Sequence, residues 1–299
     1  MKSDLANQAV SLHQEDALGL PLDREVMFSN HKSVYKKGIE KRQTKLLKKI
    51  AFLKRFLKED ERILLITTGC SPTSIWEQFL TGWIFVYLKR SLFVFTNKRI
   101  FHIPTKIDYS YRNSIAQILY SDCNSIRIKG LIFQPELVVE YKNGKKDKFL
   151  YIARNEKKKI KALQPTISFE GSPGEFQKRI HLCPRCTEEL HEGKYICANC
   201  HLDFKDKDEG KRISLIYPGG GYFYTRHPFL GVGDAIVETI LLVLVIVSLI
   251  DAIKGVEGSG VELFAFAIVL VIEKAISVYH SNHFIKEYIP KEKDIQPIA

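Results

Sequence analysis

The chain has 299 residues, 45% hydrophobic and 26% charged, a balance that suits globular folding and speaks against a wholly disordered chain; the length allows one large domain or two to three small ones. Its formal net charge of +11 favours contact with anionic lipid headgroups or nucleic acid, and on a membrane protein such an excess marks the cytoplasmic side. The averages conceal a split, because nearly all long apolar runs follow Phe229 and the lysine runs precede it, so a soluble part is fastened to a membrane part.

Met1 to Met27 is polar and mixed in charge, without the apolar core of a cleavable signal, and residues 1–40 are expected to be poorly ordered. From Lys41 the chain places Leu46, Ile50, Leu53 and Leu57 at helical spacing among lysines, which predicts a basic amphipathic helix. Its apolar stripe either packs on the next domain or lies on an anionic membrane surface.

Between Glu61 and Ile152 the pattern changes to short β runs: Ile63 to Thr67, Trp83 to Leu88, Leu92 to Thr96, Ile100 to Ile103, Ser125 to Ile128, Leu137 to Tyr141 and Phe149 to Ile152. Asn143-Gly144 predicts a tight hairpin, and Thr96-Asn97-Lys98-Arg99 predicts another. A lysine-rich helix over Ala153 to Leu163 closes a small curved sheet or barrel. The run Leu-Phe-Val-Phe-Thr-Asn-Lys-Arg-Ile-Phe-His-Ile, preceded by Glu-Asp-Glu-Arg-Ile-Leu-Leu, resembles the bacterial pleckstrin-homology-like (PH-like) and GRAM-like domains. With the preceding helix the unit spans 41–165. The resemblance implies binding rather than catalysis, with Lys98 and Arg99 either holding a lipid phosphate or simply solvated.

Residues 166–180, with Gly171, Pro173 and Gly174, read as a linker. Over 181–205 come Cys183-Pro-Arg-Cys186 and Cys197-Ala-Asn-Cys200, which together offer the four thiolates that tetrahedral zinc takes in a closed structural site. A disulfide pair or a thioredoxin-like redox motif is the competing reading, but a redox site needs one Cys-x-x-Cys at a helix start. Four thiolates leave no open position for water, so the zinc is expected to be structural, and His181, His191 and His201 to be surface residues. Thiolate ligands persist in a reducing compartment, which places the segment in the cytosol. Leu182 to Phe204 resembles the short zinc-ribbon modules of bacterial membrane proteins.

Lys205 to Arg212 alternates in charge and gives a second linker, 206–213. Over 214–285 a glycine-rich approach leads into the apolar run Thr239 to Ile250, a polar turn at Lys254 to Gly260, and a second run, Leu263 to Ile272. Each uninterrupted run is shorter than the roughly 20 residues that span hydrocarbon, which leaves a buried core hairpin as the competing reading, but counted with its flanks Gly231 to Ile253 reaches the roughly 30 Å of a bilayer core. Pro218, Gly219, Gly221, Phe223 and Tyr224 resemble the start of the two-helix membrane domain known as TM2. No Gly-Lys-Ser/Thr follows the glycines, so they do not read as a phosphate loop. Lys211, Arg212 and Arg226 precede the first span, and Lys286, Lys291 and Lys293 follow the second, which predicts two spans with both termini, including the tail 286–299, in the cytoplasm. Glu238 and Lys274 fall at similar depths in the two spans and are candidates for an intramembrane ion pair; alternatively the second span ends earlier and Lys274 snorkels to the headgroups.

The expected fold class is therefore multidomain α+β: a PH-like β-barrel or sheet with a terminal helix, a small zinc ribbon and a two-helix transmembrane hairpin. No nucleophile elbow, His-Glu-x-x-His or Walker loop is present, so an enzyme is not expected. The reading is a membrane-anchored adaptor or regulatory protein that meets the bilayer and a protein partner at the cytoplasmic face of a bacterial inner membrane. Its rival is a membrane-lipid-binding or transport-accessory role that uses the intramembrane charges. Nucleic acid is an unlikely partner, because the cysteine segment has few aromatics for stacking.

Overall fold

The computed structural model describes residues 19–73, 84–130, 135–174, 177–292 and 295. Of these, the residues up to Glu192 form one compact unit and those from Gly193 onward a second.

The first unit carries strands β1 (Ile63–Cys70), β2 (Arg90–Thr96), β3 (Arg99–Pro104), β4 (Ile115–Leu119), β5 (Cys123–Lys129), β6 (Glu136–Tyr141), β7 (Lys146–Phe149), β8 (Ile180–Leu182) and β9 (Glu189–Leu190). They form two antiparallel sheets, ordered β1-β2-β3-β4-β8-β9 and β5-β6-β7. Side chains alternate across a strand, and β2 uses the alternation to serve two cores. Phe93 and Phe95 join Leu137, Val139, Phe149 and Ile160, whereas Leu92 and Val94 join Leu47, Ile50, Leu53 and Phe101. The Asn143-Gly144 turn joins β6 to β7 with Gly144 at φ +81°.

The N-terminal expectation is corrected from residue 19 on; residues 1–18 lie outside the described residues. Leu20, Leu22, Met27 and Phe28 are buried in the second core, and Asp23 caps helix α1 (Arg24–Phe28) by accepting from the Val26 amide at 2.9 Å. Lys159 Nζ donates to the carbonyls of Met27 and Ser29 at 2.7 and 2.8 Å, tying this segment to the far end of the domain. The helix expected from Lys41 is α2 (Lys37–Leu47), which breaks before a 3-10 turn at Ala51–Phe56. Leu47, Ile50 and Leu53 are buried against the sheet, so the stripe packs inward and does not face a membrane. Gln43 fixes the docking, its amide donating to the Ile66 carbonyl and accepting from the Ile66 amide at 2.9 and 3.0 Å.

The strand expected at Trp83 to Leu88 is instead helix α3 (Ile84–Leu88), with Trp83 outside the described residues. Of the strand expected over Phe149 to Ile152, β7 (Lys146–Phe149) takes in Phe149 alone, and the run Leu150 to Ile152 falls beyond it. Helix α4 (Lys157–Leu163) follows and adds Ile160 and Leu163 to the first core. The linker expected at 166–180 is not free: Ile167 is buried in the same core, and Ile180 opens β8 beside β4.

In the second unit the linker expected at 206–213 is helical. Asp206 accepts from the Glu209 amide at 2.8 Å and starts α5 (Lys207–Ile216). Helix α6 (Gly220–Tyr224) leads into α7 (Pro228–Ile253) and α8 (Ser259–Ile285), with Gly255 and Gly258 at positive φ in the turn between the long helices. The glycine run is a contact surface: a Cβ at Gly220 would lie 2.4 Å from the Ile213 carbonyl oxygen, and one at Gly219 would lie 2.1 Å from that of Gly231.

Candidate metal centre

Two copies of one backbone motif hold the cysteines. In the first, the Cys183 amide donates to the Glu188 carbonyl at 2.7 Å, the Thr187 amide donates back to the Cys183 carbonyl at 2.9 Å, and Leu182 pairs with Glu189. In the second, the Cys197 amide donates to the Leu202 carbonyl at 3.0 Å, the His201 amide donates to the Cys197 carbonyl at 3.1 Å, and Ile196 pairs with Asp203. Thr187 and His201, each one residue past the second cysteine, take φ of +65° and +55°. Each turn thereby closes a knuckle that carries two of the cysteines. The four sulfurs of Cys183, Cys186, Cys197 and Cys200 lie within 4.8 Å of one another, and none of the chain's cysteines is in a disulfide. This set can hold a metal ion, and its all-sulfur character suits a soft or borderline one.

Arg55, from the 3-10 turn, donates from Nη2 to the Pro184 carbonyl inside the first knuckle. Its Nε and Nη1 are buried without hydrogen-bond partners, so a cation stands beside a group that carries excess negative charge once four thiolates bind a divalent ion. His191 and His201 are exposed as expected, but His181 is buried in β8, paired opposite Leu190. The two remaining cysteines are inert by burial, which pushes the thiols of Cys70 and Cys123 up to about 12.

The phosphate site expected on the β2–β3 turn is corrected. Arg99 is buried, with Nε and Nη2 on the two carboxylate oxygens of Glu61 at 3.0 and 2.8 Å. It also donates to the Phe56 carbonyl at 2.6 Å and to Gln117 Oε1, and it lies 4.5 Å from the Phe101 ring centroid. A guanidinium so occupied has no fork left for a phosphate. Lys98 is exposed, but its Nζ donates to the Glu59 carbonyl at 2.6 Å. Ser71, Ser91 and His102 form a further polar group that the sequence reading did not find. His102 Nε2 lies 2.9 and 3.1 Å from the two hydroxyls, but the ring is fully buried beside Phe93 and Phe149, a structural rather than a reactive setting.

In the second unit Lys274 Nζ lies 2.7 Å from Glu238 Oε2 and also donates to the carbonyls of Ser214 and Tyr217. The Gly219 amide donates to the same Glu238 oxygen at 3.0 Å. A double-mutant cycle of Glu238→Gln and Lys274→Met, read as thermal stability in detergent, is expected to give a coupling of about 1–3 kcal/mol; coupling below about 0.5 kcal/mol would mean the two groups act independently.

Residues 57–165 match the family model of the bacterial PH domain. The match takes in β1 to β7 and α4 and bears out the PH-like domain expected over Leu57 to Leu163. No curated protein and no solved structure matches the chain.

Proposed function

We propose that this chain is a membrane-anchored binding protein, an adaptor or regulator rather than an enzyme, with its PH-like domain at the cytoplasmic face and a structural zinc ion on Cys183, Cys186, Cys197 and Cys200. The observation that carries the anchoring is the polarity of α7 and α8. On α7 the buried residues are Gly231, Glu238 and Ser248, while Phe229, Ile240, Val243, Ile246 and Ile250 are exposed. On α8 Ser259, Ser277, His280 and Ser281 are buried, joined at the C-terminal end of the helix by Phe284 and Ile285, while Val261, Phe264, Val271 and Ile272 are exposed. Water would favour the reverse; hydrocarbon favours this arrangement, with small and polar residues between helices and apolar ones outward. Among the described residues α7 is the one helix long and apolar enough to cross a bilayer, its 26 residues giving about 39 Å. We take α8 as its return span, with the cost of Lys274 offset by Glu238.

The flanks support cytoplasmic ends. Arg226, before α7, donates to the Lys291 and Glu292 carbonyls, and Lys291, after α8, pairs with Glu209 at 2.9 Å, so both ends of the helix pair lie on one side with the basic residues. Lys293 lies outside the described residues. With Arg99 occupied, the β2–β3 turn gives no support to the rival role of binding lipid headgroups, and a protein partner is the better reading for the PH-like domain.

Glu257→Cys, in the exposed turn between the spans, is expected to react with a membrane-impermeant maleimide on intact cells or spheroplasts. The buried Cys70 and Cys123 contribute little background. Labelling only after lysis would refute this topology. Purification of the full chain in detergent separates the two roles: a stoichiometric protein partner supports the adaptor, and co-purifying anionic lipid without one supports the lipid-binding role.

A further inference from the structure

The buried charges of the helix pair do not balance. Asp234 and Glu238, four residues apart, share one face of α7, and α8 brings Glu273 beside them; one oxygen from each lies within 4.8 Å of the other two. Among the described residues the contacts set one ammonium against these three carboxylates, and that ammonium is spent. Lys274 has three protons, and they reach Glu238 Oε2, the Ser214 carbonyl and the Tyr217 carbonyl at 2.7, 2.8 and 3.3 Å. Ser277 donates one hydrogen bond to Asp234 Oδ2 at 3.2 Å. With all three carboxylates ionised, two negative charges are left over, to be balanced either by a bound cation or by protons shared among the three.

A second, independent observation points to what neutralises them. The Glu238 side chain is 1% exposed, yet while its Oε2 accepts from Gly219 and Lys274, its Oε1 is buried with no hydrogen-bond partner. Glu273 Oε2 is likewise buried and unpartnered. Buried carboxylate oxygens are very rarely left without a donor or an ion, since each carries a large desolvation cost. We propose that Asp234, Glu238 and Glu273 form a cation site for a hard divalent ion of the Mg2+ or Mn2+ kind, held between the two long helices. Three carboxylates and the Lys274 ammonium sum to two negative charges, which one divalent ion cancels. The all-oxygen donor set selects hard ions, as the sulfur set of the cysteines selects soft ones, so the two sites do not compete. Asp234 and Glu273 are only half-buried, which leaves an approach for the ion and room for the waters that Mg2+ and Mn2+ retain. The ion would bridge α7 to α8 next to the Glu238–Lys274 pair. The proposal needs the folded helix pair and is independent of the zinc reading.

The test uses Mn2+ alone as probe, with the full chain in detergent micelles near neutral pH and uptake followed by the loss of the free Mn2+ electron-spin signal. The wild type is expected to take up Mn2+ saturably and to melt higher in its presence. Asp234→Asn and Glu273→Gln should each weaken uptake on the order of tenfold or more, while Glu262→Gln, an exposed carboxylate of the same helix, should leave it unchanged. Unchanged helical circular dichroism and metal content at the cysteines in each variant exclude unfolding as the cause. Equal Mn2+ uptake by wild type and Asp234→Asn would overturn the proposal. So would a wild type that takes up no Mn2+; a gain in stability on mild acidification would then identify protons as what balances the cluster.

Discussion

Glu61→Ala is expected to destabilise the first unit by about 3–5 kcal/mol, because it leaves the Arg99 guanidinium buried without its counter-charge. Native-state hydrogen exchange of the β2 and β3 amides reads the loss locally, which suits a chain of more than one unit. Glu61 ties three strands to the loop before β1: it accepts from Arg99 in β3, from the Thr96 hydroxyl in β2 at 2.8 Å and from the Lys58 amide at 2.9 Å, and Arg99 carries the connection on to Gln117 in β4. Replacing both partners with apolar residues, as in Glu61→Leu/Arg99→Met, should cost less than either single change, since no lone charge is then left. The pH dependence has a definite sign. Burial raises the Glu61 carboxyl, but the hydrogen bonds and charge of Arg99, with Lys58 and Thr96, outweigh it and hold the group below the ordinary carboxylate range. A depressed carboxyl contributes stability that is complete above its unfolded value and is lost as pH falls through the folded one. The deficit of Glu61→Ala relative to wild type should therefore be constant near neutrality and shrink in acid. A deficit that grows in acid would contradict this account.

Cys183→Ser and Cys197→Ser are expected to lose most of the metal, from about one zinc per chain in the wild type, because three thiolates hold the ion far less well than four. Structural zinc contributes on the order of 10 kcal/mol or more to the fold of small thiolate domains, so this is the largest single-site effect expected in the chain. Elemental analysis of purified protein decides it; full zinc content in Cys186→Ser/Cys200→Ser would refute the site. His201→Gly is the informative companion. Because His201 occupies the left-handed position and not the ion, glycine should preserve zinc and hold the turn at least as well.

The parts of this fold that were legible in the sequence are those fixed by short-range chemistry. Asn143-Gly144 admits one kind of turn, and the paired Cys-x-x-Cys spacing admits few uses. Where the reading failed, partners distant in sequence decide. Arg99 looks like a solvated turn residue until Glu61, 38 positions earlier, is placed against it. The run Ile84 to Leu88 is apolar throughout, and such a run does not distinguish a strand from a buried helical turn. Strand β4 was missed because its central Gln117 breaks the apolar pattern, yet that glutamine is buried as a partner of Arg99 and Glu189. The helix at Lys207 had left a signal that alternating charge concealed: Asp206, with Glu209 three residues on, is an N-cap pattern. Of the candidate sites, the sulfurs could be named outright and the Glu238–Lys274 proximity followed from counting depth. Asp234 and Glu273 needed the two helices brought face to face.

Strand β8 lies beside β4, and its last residue, Leu182, immediately precedes Cys183, the first of the four clustered cysteines. The knuckle thus anchors the outer border of the PH-like sheet. If the ion is withdrawn and β8 peels away, β4 is uncovered with a row of unsatisfied amides and carbonyls, the surface on which another chain can add a strand. Chelation should then show first as self-association of the protein, with loss of its ordered sheet following behind.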